Sequence, residues 1–266
     1  MKIEKILFAL LMTAAILVSC NGEEDLFLNP ETGTVSDCQG NVYATVKIGN
    51  QWWMAENLRC TQYDTDSERQ PSPIEIPVST RPAGVNYGPF YVDVRDSITS
   101  YSGNLTLEQR SKLGLLYTWA AAVGLSSANN ATNPPASYTD QRQGICPNGW
   151  RIPTDDEWTV LIDYLGGHEK AGKKMRTSTG WYKGEDYVAG DNNSGFSILP
   201  AGYDLGTSIG TDRTPATYGI GFDANFWSAN ANAWYRGFTC NSAEVKRWPY
   251  AKFTYLSVRC IKNTEE

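Results

Sequence analysis

Short apolar runs separated by glycine and asparagine dominate the chain from residue 35 onward, and they predict β-strands joined by turns. Residues 42–48 and 51–54 flank Gly49-Asn50, which is the pattern of a β-hairpin. Further strand-like runs follow near the C-terminus, at residues 195–199, 219–222, 226–228, 233–239 and 252–260. No helical period of useful length occurs in that part of the chain.

Two segments carry the apolar spacing of a helix. In residues 106–123 the apolar side chains fall roughly on one stripe, although Gly114 interrupts it. The stronger signal begins at Thr154, which forms a capping box with Glu157, and it stops at Gly166. The apolar face of this second helix consists of Trp158, Leu161, Ile162 and Leu165. Two main helices are therefore expected.

The pattern of elements predicts one α+β domain over residues 35–263, with long irregular loops at residues 64–104 and 126–143. No internal repeat and no linker divides this region. The 266 residues include 23 Lys and Arg against 29 Asp and Glu, a formal charge of −6. This balance gives no basic surface for a nucleic acid, so no nucleic-acid partner is expected.

The N-terminal segment has the features of an export signal. Lys2 and Lys5 precede an apolar run over residues 6–18 that is too short to span a bilayer, which predicts a signal peptide at residues 1–19. Residues 17–20, Leu-Val-Ser-Cys, resemble a bacterial lipobox, and this resemblance implies that Cys20 is lipidated.

A polar tether is predicted at residues 20–34, after the signal peptide. Its acidic start, residues 21–25, looks like the export signal of surface lipoproteins in the Bacteroidetes group; the alternative is a solvated linker. We expect a lipid-anchored protein on the outer membrane that faces the cell exterior.

Five cysteines remain besides Cys20, and they are Cys38, Cys60, Cys146, Cys240 and Cys260. None lies in a CxxC spacing and the chain has one histidine, so zinc and thioredoxin-type sites lack their ligands. Structural disulfides are the default in an exported protein, and the odd number leaves one thiol over. The residues alone leave the connectivity open.

Two short motifs suggest chemistry. Residues 206–210 match GxSxG, the nucleophile-elbow pattern of hydrolases. The only histidine, His168, precedes the serine, and no helix is predicted after the serine, so a hydrolase elbow is not supported. Asp191, Asn192 and Asn193 place oxygen donors on a turn, which makes calcium the candidate cofactor; the alternative is a plain turn.

The C-terminal strands are rich in aromatic residues, whose rings could stack on sugar faces or on a partner surface. The candidate ligand-binding residues are Trp227, Trp234, Tyr235 and Trp248. The alternative is that most of these rings belong to the core.

Several ordered blocks over about residues 35–262 resemble the Fibrobacter succinogenes major paralogous domain family. They include residues 37–43, 46–58, 114–122, 144–154, 195–202, 226–228 and 257–260. The resemblance implies a C-type lectin-like superfold and no established enzymatic activity. It also implies a disulfide between Cys146 and Cys260. Cys38 and Cys60 depart from the family pattern and then most simply pair with each other. Cys240 is left alone.

These features predict a non-enzymatic surface lipoprotein whose lectin-like domain binds an extracellular glycan or a surface protein. The EPN and WND triplets of calcium-dependent lectins are absent from the sequence. One alternative is an accessory or tip component of a surface assembly such as a pilus. Another is a polysaccharide-acting enzyme, which would need a carboxylate or cysteine centre.

Overall fold

The structure is a computed structural model that describes residues 30–64, 91–93, 105–206 and 217–264. Its helices are α1 (Leu107–Ser111), α2 (Trp119–Val123), α3 (Asp155–Tyr164) and α4 (His168–Met175), with a 3-10 turn at Ser127–Asn130. Its strands are β1 (Thr32–Ser36), β2 (Val42–Ile48), β3 (Gln51–Met54), β4 (Tyr91–Asp93), β5 (Leu115–Tyr117), β6 (Trp150–Arg151), β7 (Tyr203–Asp204), β8 (Thr217–Tyr218), β9 (Asp223–Trp227), β10 (Trp234–Thr239), β11 (Lys246–Pro249) and β12 (Ile261–Lys262).

All strand pairs between these elements are antiparallel. A five-stranded sheet has the order β1-β2-β3-β12-β6, and a three-stranded sheet has the order β11-β10-β9. Two small sheets pair β4 with β5 and β7 with β8. Few helices beside mostly antiparallel sheets confirm the α+β class. Within the described ranges, no helix combines the length and the apolar character that a membrane crossing needs.

Helix α3 matches the sequence prediction closely. Thr154 Oγ1 accepts a hydrogen bond from the Glu157 backbone N–H, and the Glu157 carboxylate accepts one from the Thr154 backbone N–H. This reciprocal pair satisfies two donors that the first helical turn leaves open. On the inner face of the helix, Trp158 and Leu161 are fully buried.

The predicted helix over residues 106–123 is wrong. The segment forms α1, then strand β5 against β4, then α2. Gly114 separates the first two elements with φ +74°, and an added Cβ there would lie 2.6 Å from the Leu58 carbonyl oxygen. Close backbone approach and the pairing of β5 therefore override the local helical spacing.

Other element boundaries also differ from the sequence prediction. Strand β1 begins at Thr32, so the last residues of the predicted tether pair with β2 instead of remaining free. Helix α4 and strand β11 were not predicted. Both sequences are mostly polar: α4 buries Ala171, Gly172 and Met175 on one side, and every residue of β11 is exposed.

The three-stranded sheet is fixed against α3 by an ion-pair group and an aromatic cluster. The buried carboxylate of Asp155, at the first position of α3, lies 2.7 Å from Arg236 on β10 and 2.7 Å from Arg247 on β11. The Trp158 ring packs 5.8 Å from that of Phe226 on β9. One face of the sheet is thus attached to the helix. The opposite face, called the open face below, buries Trp227 in the core and borders a cavity beside Asp223 and Asn225.

Candidate functional site

The open face of the three-stranded sheet carries a polar alternation on β9. Asp223 and Asn225 are half-buried, whereas Ala224 and Phe226 between and after them are buried on the side of α3. Successive side chains of a strand point to opposite faces, so the carboxylate and the amide lie on the same, open face.

A missing side chain allows a close approach of neighbouring groups at the centre of this face. Gly237 on β10 pairs with Asn225 on β9 and with Lys246 on β11, so it lies in the middle of the sheet. A Cβ at this position would lie 2.8 Å from Cε2 of Tyr235 and 2.9 Å from Oδ1 of Asn225. Both distances are too short for a Cβ, so the glycine lets the Tyr235 ring and the Asn225 amide close over the strand, and any other residue would displace them.

The Tyr235 ring and the Asn225 amide line a cavity of about 170 Å³. The residues lining it are Tyr203, Asp223, Asn225, Tyr235, Thr239, Lys246, Tyr250 and Leu256. Three tyrosines supply aromatic surface, and the polar groups supply a carboxylate, an amide, a hydroxyl and an ammonium. We call this cavity the tyrosine pocket.

The aromatic wall of the tyrosine pocket is internally packed. The Tyr235 and Tyr250 rings meet edge to face with centroids 5.2 Å apart, and the Tyr203 ring lies 6.0 Å from that of Tyr218. Such pairs hold aromatic rings in preferred relative orientations. The wall is therefore formed before any ligand arrives.

Burial sets the protonation of the groups in the tyrosine pocket. It raises the pKa of the Asp223 carboxyl above its ordinary 3.8, and the nearby charge of Lys246 acts in the opposite direction. Burial also raises the pKa values of Tyr203, Tyr235 and Tyr250. The tyrosines thus remain neutral at pH 7 and keep their hydroxyl protons as hydrogen-bond donors.

The four aromatic residues singled out from the sequence have different environments. Tyr235 lines the tyrosine pocket, and Trp248 on β11 lies directly opposite it in the register, with 64% of its surface exposed. Trp234 is half-buried beneath the guanidinium of Arg247, whose carbon lies 3.9 Å from the ring centroid. The expectation for Trp227 is wrong: its ring is fully buried, and its Nε1–H donates to the Tyr117 carbonyl oxygen.

Sequence reasoning missed most of the tyrosine pocket. Tyr203, Asp223, Asn225 and Gly237 come from three separated segments. The register of β9 with β10 and a bridge between Gly202 and Ala224 bring them together. The alternation in residues 223–227 was a signal that could have placed Asp223 and Asn225 on one face. Tyr250 belonged to the aromatic-rich segment but was not selected.

The predicted calcium turn uses its oxygen atoms internally. Asp191 Oδ1 accepts from the Asn193 N–H, and Asn192 Oδ1 accepts from the Ser197 N–H. Asp191 Oδ2 also lies 3.6 Å from Lys173 Nζ. In the described part of the chain, no group of three or more His, Cys, Asp or Glu residues is arranged for a metal ion. Calcium binding at this turn stays a prediction.

The five cysteines in the described part of the chain form one disulfide and leave three thiols. Cys146 and Cys260 form a disulfide with Cα atoms 5.9 Å apart, which confirms the pairing implied by the family resemblance. Cys38 and Cys60 lie together with their Sγ atoms 4.0 Å apart and not bonded, so their bridge stays a prediction. Cys240 is a buried thiol. Cys20 and Ser208 lie outside the described residues.

A comparison with family models identifies the class of this α+β domain. Residues 46–262, more than half of the chain, match the Fibrobacter succinogenes major domain. The chain belongs to this family. The match points to a surface-associated domain and names no ligand or partner. No curated protein and no solved structure matches the chain in the corresponding searches.

Proposed function

We propose that the protein is a non-enzymatic surface lipoprotein and that its tyrosine pocket binds one unit of an extracellular glycan. The observation that carries this proposal is the preformed pocket of three tyrosines, one carboxylate and one amide, two of whose members close over Gly237. Aromatic faces offer apolar surface to the C–H side of a sugar ring, and the polar groups offer partners to its hydroxyls.

The size of the tyrosine pocket supports a small occupant. Its volume of about 170 Å³ is below the roughly 300–1,000 Å³ of pockets that enclose drug-sized molecules. A single ring of a longer chain suits such a space, with the remaining units outside it. Trp248, exposed and opposite Tyr235 across the strand pair, offers a second aromatic face for an adjoining unit.

The chemistry of the lining favours binding over hydrolysis. Glycoside hydrolysis normally requires two carboxyl groups on either side of the scissile bond. Asp223 is the one carboxylate among the residues that line the tyrosine pocket in the described part of the chain. The proposal therefore assigns Asp223 to the recognition of hydroxyl groups.

The location proposed for the protein is the outer face of the outer membrane, with Cys20 as the lipid anchor. Its support is the signal peptide at residues 1–19, the lipobox resemblance and the acidic residues that follow. Changing Cys20 to Ala should release the protein from the membrane fraction, and a variant that stays attached contradicts lipidation at this residue.

We also propose that the domain has the C-type lectin-like superfold. Its support is the family membership, the small number of helices, the antiparallel sheets and the long-range Cys146–Cys260 disulfide. Calcium is included in this proposal as a cofactor to be tested and not as a ligand of the tyrosine pocket.

A glycan-array screen of the purified protein, run once with calcium and once with chelator, tests the proposed function. Binding in both buffers supports recognition by the tyrosine pocket alone. If the chelator abolishes binding, the site uses calcium held by oxygen ligands such as those near Asp191. An array without binding in either buffer contradicts the glycan proposal and favours a surface protein or a filament assembly as the partner.

A further inference from the structure

The thiols of Cys38 and Cys60 converge on one point beside the first hairpin. Their Sγ atoms are 4.0 Å apart. Both approach the carbonyl oxygen of Gln62, at 3.7 Å from Cys38 and 2.9 Å from Cys60. A disulfide requires about 2.05 Å between the sulfurs, so they must approach by about 2 Å. A change of this size lies within the reach of side-chain rotation.

The residues that precede the two cysteines are joined through Tyr43. Its hydroxyl donates a hydrogen bond of 2.7 Å to the Asp37 carboxylate and accepts one of 3.1 Å from the Arg59 backbone N–H. Tyr43 is fully buried, so this connection is shielded from water. It holds the backbones of the two cysteine segments at a fixed separation.

The residues that follow the two cysteines are also joined. Gln39 Nε2 donates to Thr61 Oγ1 at 2.8 Å, and the Thr61 backbone N–H donates to Gln39 Oε1 at 2.7 Å. Hydrogen bonds therefore connect the two segments on both sides of the sulfur atoms. The fold itself brings the two thiols together, because no bond between them is needed to maintain the arrangement.

We propose that Cys38 and Cys60 are the acceptor dithiol for a disulfide-type oxidant in the compartment to which the chain is exported, and that they form a second disulfide. The proposal rests on the predicted export and is independent of glycan binding. It assigns a covalent modification site that fixes the segment after β3 to the turn between β1 and β2.

The reaction proceeds in two exchange steps. The Cys38 thiolate attacks one sulfur of the oxidant's disulfide, which forms a mixed disulfide and releases the other sulfur as a thiol that takes up one proton. The Cys60 sulfur then loses its proton, attacks Cys38 Sγ and releases the second thiol. Two S–H bonds of the protein and one S–S bond of the oxidant are exchanged for one S–S bond and two S–H bonds.

Exposure determines which thiol reacts first. Cys38 is exposed and Cys60 is buried, so an external oxidant reaches Cys38 and Cys60 completes the exchange. Burial also raises the pKa of both thiols, more strongly for Cys60. The same asymmetry makes the Cys38–Cys60 bond accessible to a reductant, whereas Cys146 and Cys260 are both fully buried.

The test maps the cysteines of the exported, full-length protein after alkylation with N-ethylmaleimide in denaturant without reductant. Peptide mass mapping should show two cross-links, Cys38–Cys60 and Cys146–Cys260, with Cys240 as the alkylated thiol. Alkylation of both Cys38 and Cys60 would overturn the proposal, and so would a bond from Cys38 to a second chain or to a small thiol.

Cysteine variants, and reduction and reoxidation of the folded protein in vitro, test the same pairing without relying on export. In Cys38→Ser, Cys60 should become alkylated together with Cys240, while the matched control Cys240→Ser should show no alkylated thiol among the four cysteines that remain in the domain. Mild reduction should open Cys38–Cys60 at a reductant concentration at least tenfold below that for Cys146–Cys260. Glutathione disulfide should then restore the bond; two persistent thiols beside an intact Cys146–Cys260 would contradict the proposal.

Discussion

The Tyr235 and Tyr250 rings meet edge to face at 5.2 Å, with an interplanar angle of 63°, in the wall of the tyrosine pocket. Tyr235 belongs to β10, and Tyr250 directly follows the last residue of β11. Because the rings come from β10 and from the residue next to β11, the hydrogen-bonded pairing of β10 with β11 maintains the contact. A wall that is ordered in this way binds a ligand with a smaller loss of side-chain entropy.

Substitution of two tryptophans in the same sheet region should change stability to very different extents. Trp227→Ala removes a fully buried ring that donates to the Tyr117 carbonyl, and it should lower the free energy of unfolding by about 3–5 kcal/mol. Trp248→Ala removes a largely exposed ring, and it should change stability by less than about 0.5 kcal/mol. Urea unfolding of both variants measures these effects.

Trp248→Ala should affect ligand affinity although it leaves stability almost unchanged. Trp248→Ala should weaken binding of an array-selected oligosaccharide by about tenfold, because one well-placed stacking ring contributes on the order of 1 kcal/mol or more. Calorimetric titration provides the affinity. An unchanged affinity in Trp248→Ala would remove this tryptophan from the binding surface and leave the tyrosine pocket as the site.

Glu157 should stabilise the fold in a pH-dependent way. Burial acts to raise its pKa, but hydrogen bonds from Arg151 and from the Thr154 backbone N–H outweigh it, and the pKa is lowered from 4.5. A lowered folded-state pKa gives stabilisation that is complete above the unfolded value and is lost as the pH falls through the folded value. The contribution of Glu157 should therefore disappear in the range below pH 4.5.

Glu157→Gln should cost about 1.5–3 kcal/mol in the free energy of unfolding at pH 7, as expected for hydrogen bonds to a charged group. The difference from the native protein should shrink at pH 3. Glu108→Gln is the matched control, since Glu108 pairs with Lys112 at an exposed position and should matter little at either pH. Equal losses at pH 7 and pH 3 in Glu157→Gln would contradict this assignment.

Asp223 should make glycan binding sensitive to acid. Its pKa is raised above 3.8 by burial, so protonation converts the carboxylate from a pure acceptor into a carboxylic acid at a higher pH than for an exposed aspartate. Affinity should be constant near pH 7 and fall as the pH decreases through this pKa. Asp223→Asn should bind about tenfold more weakly at pH 7, with a flatter pH profile. An acid-dependent loss that persists unchanged in Asp223→Asn would assign it to another group.

Elements determined by neighbouring residues could be predicted from the sequence, whereas elements determined by distant contacts could not. Helix α3 was predictable because Thr154 and Glu157 cap it within one turn of sequence. The segment over residues 106–123 was not, because its structure depends on contacts of Gly114 with Asn57 and Leu58, far away in the chain.

The residues of the candidate site also divide into those that could be predicted from the sequence and those that could not. Tyr235 and Trp248 could be selected by residue type alone, because aromatic rings suit ligand surfaces. Gly237 could not, because its importance comes from what it omits between Tyr235 and Asn225, and this depends on the register of β9 and β10. Burial of Trp227 likewise follows from the packing of the sheet on the core, which an aromatic sequence pattern does not specify.

The most direct test of glycan recognition by the tyrosine pocket is a glycan array probed in parallel with the native protein, Gly237→Ala and Gly184→Ala. Both substitutions place a Cβ 2.8 Å from a tyrosine ring carbon, but at Gly237 the ring belongs to Tyr235, which lines the pocket, and at Gly184 it belongs to Tyr182, which does not. We predict that Gly237→Ala loses at least 90% of the array signal at equal folded concentration, while Gly184→Ala retains it. Full binding by Gly237→Ala would contradict the central claim.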